Sequence, residues 1–559
     1  MTEDLPPTPD ALVGIVGAGP VGLACAARLA GFGITCVVLE AGPALRQEGS
    51  KACVIQGDVI EVLDKVGCGE QIATEGVTWH IARTYVRGQQ IGMCDYPMPV
   101  GFGPFVNISQ YRIEQIMVDA LTQRPECAIR WSHPVTEVTQ DDCGVTVVAG
   151  GKQMRFRYLV ACDGVRSTLR ELTGVKWTGT TYADQFLIAD IQVKLPFAAE
   201  RHFHYDPPFN PGRQLVMHAQ PDNVWRIDWQ LPPDSDITQE QRTGGMEARI
   251  RAVAGDVPYE IKWLSTYRFH QRVVENFVVG NIFFAGDAAH ALPPYGARGM
   301  NSGIQDADNL AWKLACVLRG DARSELLATY HAERYAAALE NLRVTSATIQ
   351  FMVPKSAIRR RARTALLRAA TALRPFAKYV DSGKMAEPFT YSDSPIIDES
   401  SGDPLAGVLA PDRAVLADGE RSRLRRFFGA GFAVLHTAST VAAVSELAAA
   451  VASGITVANG AKTVSIPVNH LGLSPPSVAA AVDGSKAGVT VLADVDPGAA
   501  PYRQGHWYLI RPDGHVAAAR PSTRLGDLPA ILARCSGAAV SPADVRDDGV
   551  NPQLGQPRT

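Results

Sequence analysis

Gly17-Ala18-Gly19-Pro20-Val21-Gly22, with Glu40 some way beyond, has the residue types and spacing to hold a dinucleotide. Gly17 permits a tight turn, Gly19 lets backbone approach a pyrophosphate, and Gly22 lets the next helix pack on the strand before it. Pro20 and Val21 open that helix, whose free N–H groups and positive dipole end face the phosphates. Glu40 accepts both hydroxyls of an adenosine ribose, which selects FAD or NAD over NADP. A second segment, Leu159-Val160-Ala161-Cys162-Asp163-Gly164-Val165-Arg166-Ser167, runs an apolar strand into an Asp-Gly turn and a Ser-capped helix. By itself it reads only as a strand-to-helix connection. In a third, Ile282-Phe283-Phe284-Ala285-Gly286-Asp287 delivers Asp287 to a strand's carboxyl end, where it suits a polyol hydroxyl. Pro293-Pro294-Tyr295-Gly296-Ala297-Arg298-Gly299-Met300-Asn301 then opens a helix. Its unpaired N–H groups suit an anionic ring edge, such as the N1–C2=O edge of a reduced flavin.

The elements that position these residues follow from local pattern. Leu12–Val16, a glycine turn, Leu23–Leu29 and Ile34–Leu39 read strand, turn, helix, strand, a βαβ unit that predicts a parallel sheet with helices outside. From Trp79 to Phe105 and from Thr181 to Phe269 the text alternates and turns aromatic, as in Val224-Trp225-Arg226-Ile227-Asp228-Trp229, which predicts an antiparallel sheet inserted into the first domain. Helical spacing returns over Ile304–Leu318 and Leu326–Leu342. Lys355–Lys378 is a basic helical stretch, either a solvated helix or a substrate-access or membrane-surface element. Residues 386–402 read as a linker. Strands are expected at Phe432–Leu435, Val489–Leu492 and Trp507–Ile510, with a helix over Val441–Ala452. The fold class is therefore α/β, α+β overall. Residues 10–78, 106–180 and 276–345 form a Rossmann-like nucleotide-binding domain, and 79–105 with 181–275 the inserted substrate domain. Residues 346–402 make a helical segment and linker, 403–540 a rear domain and 541–559 a tail.

Composition narrows the partners. The 559 residues are 46% hydrophobic and 20% charged with a net charge of −3, an ordinary globular profile that draws the chain to neither nucleic acid nor anionic lipid. Ten cysteines lie scattered with no C-x-x-C pair, which suits a reducing, cytoplasmic setting and disfavours zinc and dithiol chemistry. No metal site and no membrane span are expected.

In order and spacing the three segments resemble the single-component (class A) FAD-dependent aromatic hydroxylases, which include p-hydroxybenzoate and phenol hydroxylases. Gly49-Ser50-Lys51-Ala52, Gln110, Gly299-Met300-Asn301 and Asp306–Leu314 resemble in particular the 3-(3-hydroxyphenyl)propionate and phenol hydroxylase branch. The likeness covers residues 12–345 and, more loosely, 400–535, where it implies a thioredoxin-like domain without paired cysteines. It implies that Gly17, Gly19, Gly22 and Glu40 hold the ADP half of non-covalent FAD, Gln110 its linking chain and Asp287 its ribityl chain. Lys51 and Gly286 join that set, and Met300 and Asn301 present backbone amides to the ring. Asp163 and Gly164 are implied for both FAD and a transient NAD(P)H. It implies that Pro293 and Pro294 line the place where a flavin C4a-hydroperoxide, formed from O2, meets a small aromatic substrate. Where many members read Gly-Gln-Gly this chain has Ala297-Arg298-Gly299, as the p-hydroxybenzoate type has Ala and then a cation, and a guanidinium near the flavin stabilises negative charge on its reduced ring. A homodimer or higher homo-oligomer is also implied.

A base or polarising group for the substrate hydroxyl is expected, and the sequence does not single it out. His202, His204, Tyr205, His218 and Tyr295 are candidates for it, and Arg213 and Arg226 for pairing with a substrate carboxylate. Alternatives are a tailoring monooxygenase or epoxidase for larger polycyclic aromatics, or a non-catalytic FAD-binding protein. The halogenase Trp-x-Trp-x-Ile-Pro segment has no match.

Overall fold

The computed structural model describes residues 10–46, 52–352, 354, 356–372, 375, 380, 383–438, 440, 442, 456–459, 462–466, 468–479, 489–496 and 501–537. The chain enters through β1 (Ala11–Val16), α1 (Pro20–Gly31) and β2 (Cys36–Leu39), then β3 (Val54–Gln56), α2 (Gly57–Asp64), α3 (Gly69–Glu75) and β4 (Val77–Trp79). A hairpin of β5 (Ile81–Val86) and β6 (Gln89–Asp95) leaves for the second sheet before β7 (Phe105–Asn107), α4 (Gln110–Leu121) and β8 (Cys127–Arg130). Next come β9 (Val135–Asp141), β10 (Gly144–Ala149), β11 (Lys152–Ala161) and α5 (Thr168–Thr173). The second sheet continues with β12 (Trp177–Gln192), β13 (Arg201–Tyr205), β14 (Gln214–Ala219), β15 (Val224–Leu231), α6 (Ile237–Thr243), α7 (Gly245–Ala254) and β16 (Glu260–Val274). The chain returns through β17 (Val278–Val279), β18 (Ile282–Phe284), β19 (His290–Ala291), α8 (Arg298–Arg319), α9 (Ala328–Met352) and α10 (Ala357–Ala372).

The first sheet runs β17-β18-β11-β1-β2-β8, with β18, β11, β1, β2 and β8 parallel. Val13, Ile15, Val37 and Val38 are buried, the run of β-branched residues that a sheet covered on both faces requires. Because these strands are parallel, the loops after β1, β2, β11 and β18 all emerge at one end.

The second sheet runs β19-β16-β12-β15-β14-β13-β5-β6. It departs from the antiparallel expectation at one join, where β13 pairs β5 in parallel. The β5–β6 hairpin comes from an earlier stretch of chain than the β12–β16 meander, so it meets β13 through a crossover rather than a tight turn. Strand alternation gives this sheet two faces. Leu187, Met217, Ile227 and Trp229 lie under Met246 and Ile250 of α7. Phe186, Phe203 and Tyr205 face the other way, onto Tyr295, Ile349 and Met352 of α9 and Leu367 of α10. The basic stretch thus exposes Arg359, Arg360, Arg361 and Arg368 while roofing this second face with Leu367.

In the rear part, Phe432–Thr437 runs parallel to Val468–Ser474, which runs parallel to Thr490–Asp494, and His506–Ile510 and Val516–Pro521 add antiparallel strands. The helix expected over Val441–Ala452 lies, apart from Ala442, outside the described residues, as does the tail. The stretch expected as a linker packs against the rest of the chain. Tyr391, Ile396 and Ile397 are buried in the same apolar core as α8 and the rear strands, so this Pro- and Ser-rich text packs as a strap. Tyr391 accepts a hydrogen bond from Arg334 (2.8 Å), and Asp398 pairs with Arg520 and Arg534. Among the described residues no helix is long and apolar enough to cross a membrane.

Candidate functional site

Four loops from the first sheet's carboxyl end border one groove. Gly17 turns with φ +104°, and a Cβ there would stand 2.5 Å from the Cys162 carbonyl oxygen, so the β1 loop presses on the β11 loop. A Cβ on Gly19, which caps α1, would meet nothing within 4 Å, so α1 presents its amino end to open space. Glu40 is oriented by two main-chain amides, Ala18 to Oε2 (2.9 Å) and Gly42 to Oε1 (2.8 Å), with lone pairs left for hydroxyls. Asp163 accepts from the Leu169 amide (3.0 Å) through Oδ2, while its buried Oδ1 has no hydrogen-bond partner in the protein. Burial pushes the Asp163 carboxyl up, against hydrogen bonds from Ser167 and the Leu169 amide. Gly164 follows in the left-handed region. An open helix end, an oriented acid and an orphaned buried oxygen around one groove fit FAD.

The other half of the groove is built by α8. Ala297 takes φ +54°, rare for a residue with a Cβ, and turns the chain into this helix. The first-turn amides have no intrahelical partner, and a Cβ on Gly299 would meet nothing within 4 Å. Asn301 spends its side chain on anchoring, donating to the carbonyls of Val54 (3.0 Å) and Ala297 (2.6 Å) and accepting from the Gln56 amide (3.0 Å). Gly303 approaches Val21 so closely that a Cβ would stand 2.5 Å from its side chain, which brings the starts of α1 and α8 together. Met300 is half-buried, Pro293 buried and Pro294 exposed. Gln110 opens α4, accepts from the Ala52 amide (3.3 Å) and donates to Glu114 (2.8 Å). Lys51 lies outside the described residues.

Arg298 is a clasp in this structure. Its buried guanidinium donates to Asn341 (2.5 Å) and to the carbonyls of Lys384 (3.1 Å) and Met385 (3.2 Å). Gln56 and Gly296 hold the next residue of that strap, Ala386. Behind the Gly286-Asp287 loop, buried Asp306 accepts from the Gly286 amide (2.9 Å) and Arg334 (2.6 Å) and bonds His290 (2.6 Å). Arg170 ties the Asp163-Gly164 loop to the same place through the carbonyls of Ala288 (3.1 Å) and Val165 (2.8 Å). These braces join residues far apart in sequence, so spacing gave no sign of their function.

The substrate-side candidates divide between the two faces of the second sheet. His204 pairs with Leu215 on the α7-covered face and stacks on Tyr85 (4.5 Å), so it points away from Tyr295. His202 shares that face through its pairing with Met217. Arg226 is buried in a bidentate pair with Asp190 (2.7 and 2.7 Å), which uses the fork a substrate carboxylate would need. Arg213 sits 3.6 Å from Asp184. Tyr205 and His218 do lie on the face toward Tyr295, beside Phe203 and Arg226 respectively. Tyr295 itself is buried edge-on to Phe186 and Phe269, and its hydroxyl has no partner.

Comparison with known proteins matches this architecture. The FAD binding domain family covers residues 10–345, and the aromatic-ring hydroxylase C-terminal family covers 403–539. A 3-(3-hydroxy-phenyl)propionate/3-hydroxycinnamic acid hydroxylase of Comamonas testosteroni is 28% identical over 432 residues, 75% of this chain and 72% of that protein. A rifampicin monooxygenase of Streptomyces venezuelae is 34% identical over 349 residues, 60% of this chain and 71% of that protein. The flavin-dependent monooxygenase PieE, solved with FAD and substrate, shares the fold with a TM-score of 0.73 at 19% identity, over 95% of this chain and all of that one. The chain is an FAD-dependent monooxygenase and belongs to the aromatic-ring hydroxylase family.

Proposed function

We propose that this chain hydroxylates a phenol-like ring, using NAD(P)H and O2, with FAD held non-covalently along the groove. The observation that carries the proposal is the convergence of the α1 and α8 amino ends on one groove beside a sheet face rich in aromatic side chains. In this reading Gly17, Gly19, Pro20, Val21, Gly22 and Glu40 hold the ADP half, and Gln110, Asp163, Gly164, Gly286 and Asp287 the middle. The amides of Gly299, Met300 and Asn301 face the flavin ring. Bound FAD supplies the redox and oxygen chemistry. Tyr295, Phe186 and Phe269 exclude water beside it, and Arg298 fixes the strap that closes this end of the site. A surface cavity of about 510 Å³ beside the Asp163-Gly164 loop, lined by Arg166, Arg170 and Trp177, supports a transient visit by NAD(P)H.

The same reading assigns 403–540 as a thioredoxin-like unit, supported by its parallel strands flanked by antiparallel ones. Cys535 is its single cysteine, so packing and subunit contact rather than dithiol exchange are its work. The free cysteines among the described residues support a cytoplasmic setting. The test is NAD(P)H consumption by the yellow holoenzyme with a panel of phenols. A phenol on the panel is expected to accelerate consumption by roughly tenfold or more and to be recovered hydroxylated. Flat traces across the panel contradict the proposal.

A further inference from the structure

Asp228 stands mid-strand on β15, opposite Ile188 of β12 and Val216 of β14. Its Oδ1 is buried and has no hydrogen-bond partner. The residue as a whole nevertheless keeps partial exposure, as do Val216 and Tyr267, although Ile188, Arg226 and Ile227 around it are buried. Solvent therefore reaches the sheet centre at Asp228 from one face. By register Asp228 shares its face with Phe186, Phe203 and Arg226, the face that packs on Tyr295. Cys53, just before β3, and Tyr267 of β16 both lie within electrostatic reach of it, and Tyr267 also feels Tyr295. The carboxyl therefore looks toward the segment that leads into α8.

The sheet gives Asp228 no cation of its own. Arg226 is committed to Asp190, so two carboxylates share one guanidinium. His218 and Arg201 lie one row along, beside Arg226. Burial, with Asp190 adding to it and Arg226 opposing, pushes the Asp228 carboxyl up to about 7. A carboxylate so placed ionises near neutral pH, where a general base works best.

We infer that Asp228 is the catalytic residue that takes the proton from the substrate's ring hydroxyl. The O–H proton passes to a carboxylate oxygen of Asp228, the bonding pair stays on the ring oxygen, and the carboxyl becomes neutral. The resulting phenolate is the more nucleophilic ring. This rests on the phenol-hydroxylase reading above.

The test uses the holoenzyme and the phenol that most accelerates its NAD(P)H consumption, together with ring-fluorinated analogues that ionise at lower pH. Product formed per NAD(P)H consumed is followed against pH for the native chain and for Asp228→Asn. The native profile is expected to fall on the acid side through about 7. Asp228→Asn is expected to lose roughly a hundredfold in product formation with the parent phenol, to lose that acid limb, and to regain activity stepwise as the analogues become more acidic. An equal deficit across the whole series, or no deficit, overturns the assignment. Should the variant shed its flavin, the native profile decides, and a native chain without the acid limb overturns it as well. A native chain that responds to no phenol fails at the earlier step, and the functional reading falls with the inference.

Discussion

Gly19→Ala is expected to fold as the native chain does and to emerge stripped of flavin. The added Cβ meets no protein atom within 4 Å, and Gly19 has ordinary extended backbone (φ −76°, ψ 179°), so nothing in the protein resists it. In the proposed reading the space it fills is where a pyrophosphate approaches the start of α1. An affinity loss of roughly a hundredfold, about 3 kcal/mol, is expected, with a thermal midpoint equal to that of the native chain freed of flavin. Gly22→Ala makes the contrast, because its Cβ would stand 2.0 Å from the Gly17 carbonyl oxygen. That clash moves the turn itself, so this variant is expected to lose both flavin and thermal stability. Flavin absorbance per chain and a melting curve separate the two. A Gly19→Ala protein with native flavin affinity counts against the placement of the phosphates.

The second large effect lies far from the groove. Glu333 of α9 is buried and accepts from Lys313 of α8 (2.7 Å), from Ser394 of the strap (2.6 Å) and from Arg511 of the rear sheet (2.5 and 3.0 Å). Glu333→Ala leaves Lys313 and Arg511 buried without that carboxylate, a change that costs about 3–5 kcal/mol. Burial works against the Glu333 charge, but Arg511 and Lys313 more than offset it and hold the carboxyl well below the usual range. A depressed carboxyl stabilises the fold above its unfolded value of roughly 4.3, and the contribution is lost as pH falls through the folded value. Stability measured from pH 7 downward is therefore expected to drop more steeply below about pH 4 in the native chain than in Glu333→Gln. Parallel curves would remove Glu333 as the clamp between the front and rear sheets.

What the sequence made legible was local. The β1–α1–β2 unit could be read because glycine spacing and β-branched runs act within a few residues, and the loops after β11 and β18 could be read for the same reason. The second sheet was legible as strands but not as faces. Alternation along Val224–Leu231 sorts Arg226 and Asp228 from Ile227 and Trp229, yet only α7 on one side and Tyr295 on the other decide which set meets the site. His204 falls on the α7 side for that reason. The partner of Arg226, Asp190, is a cross-strand neighbour that no local pattern reveals. Pro and Ser dominate the text of the strap and signal a linker, while three apolar side chains, Tyr391, Ile396 and Ile397, determine its packing. Asp228 lay in plain view in Trp225-Arg226-Ile227-Asp228-Trp229, but its lack of a partner is a three-dimensional property.

In the proposed reading a flavin nucleotide spans the groove from Gly19 to Gly299. Denaturing the purified native chain and identifying the released chromophore tests it most directly. FAD, one per chain and released without proteolysis, is the expected result. Colourless protein that takes up no FAD on reconstitution would contradict it.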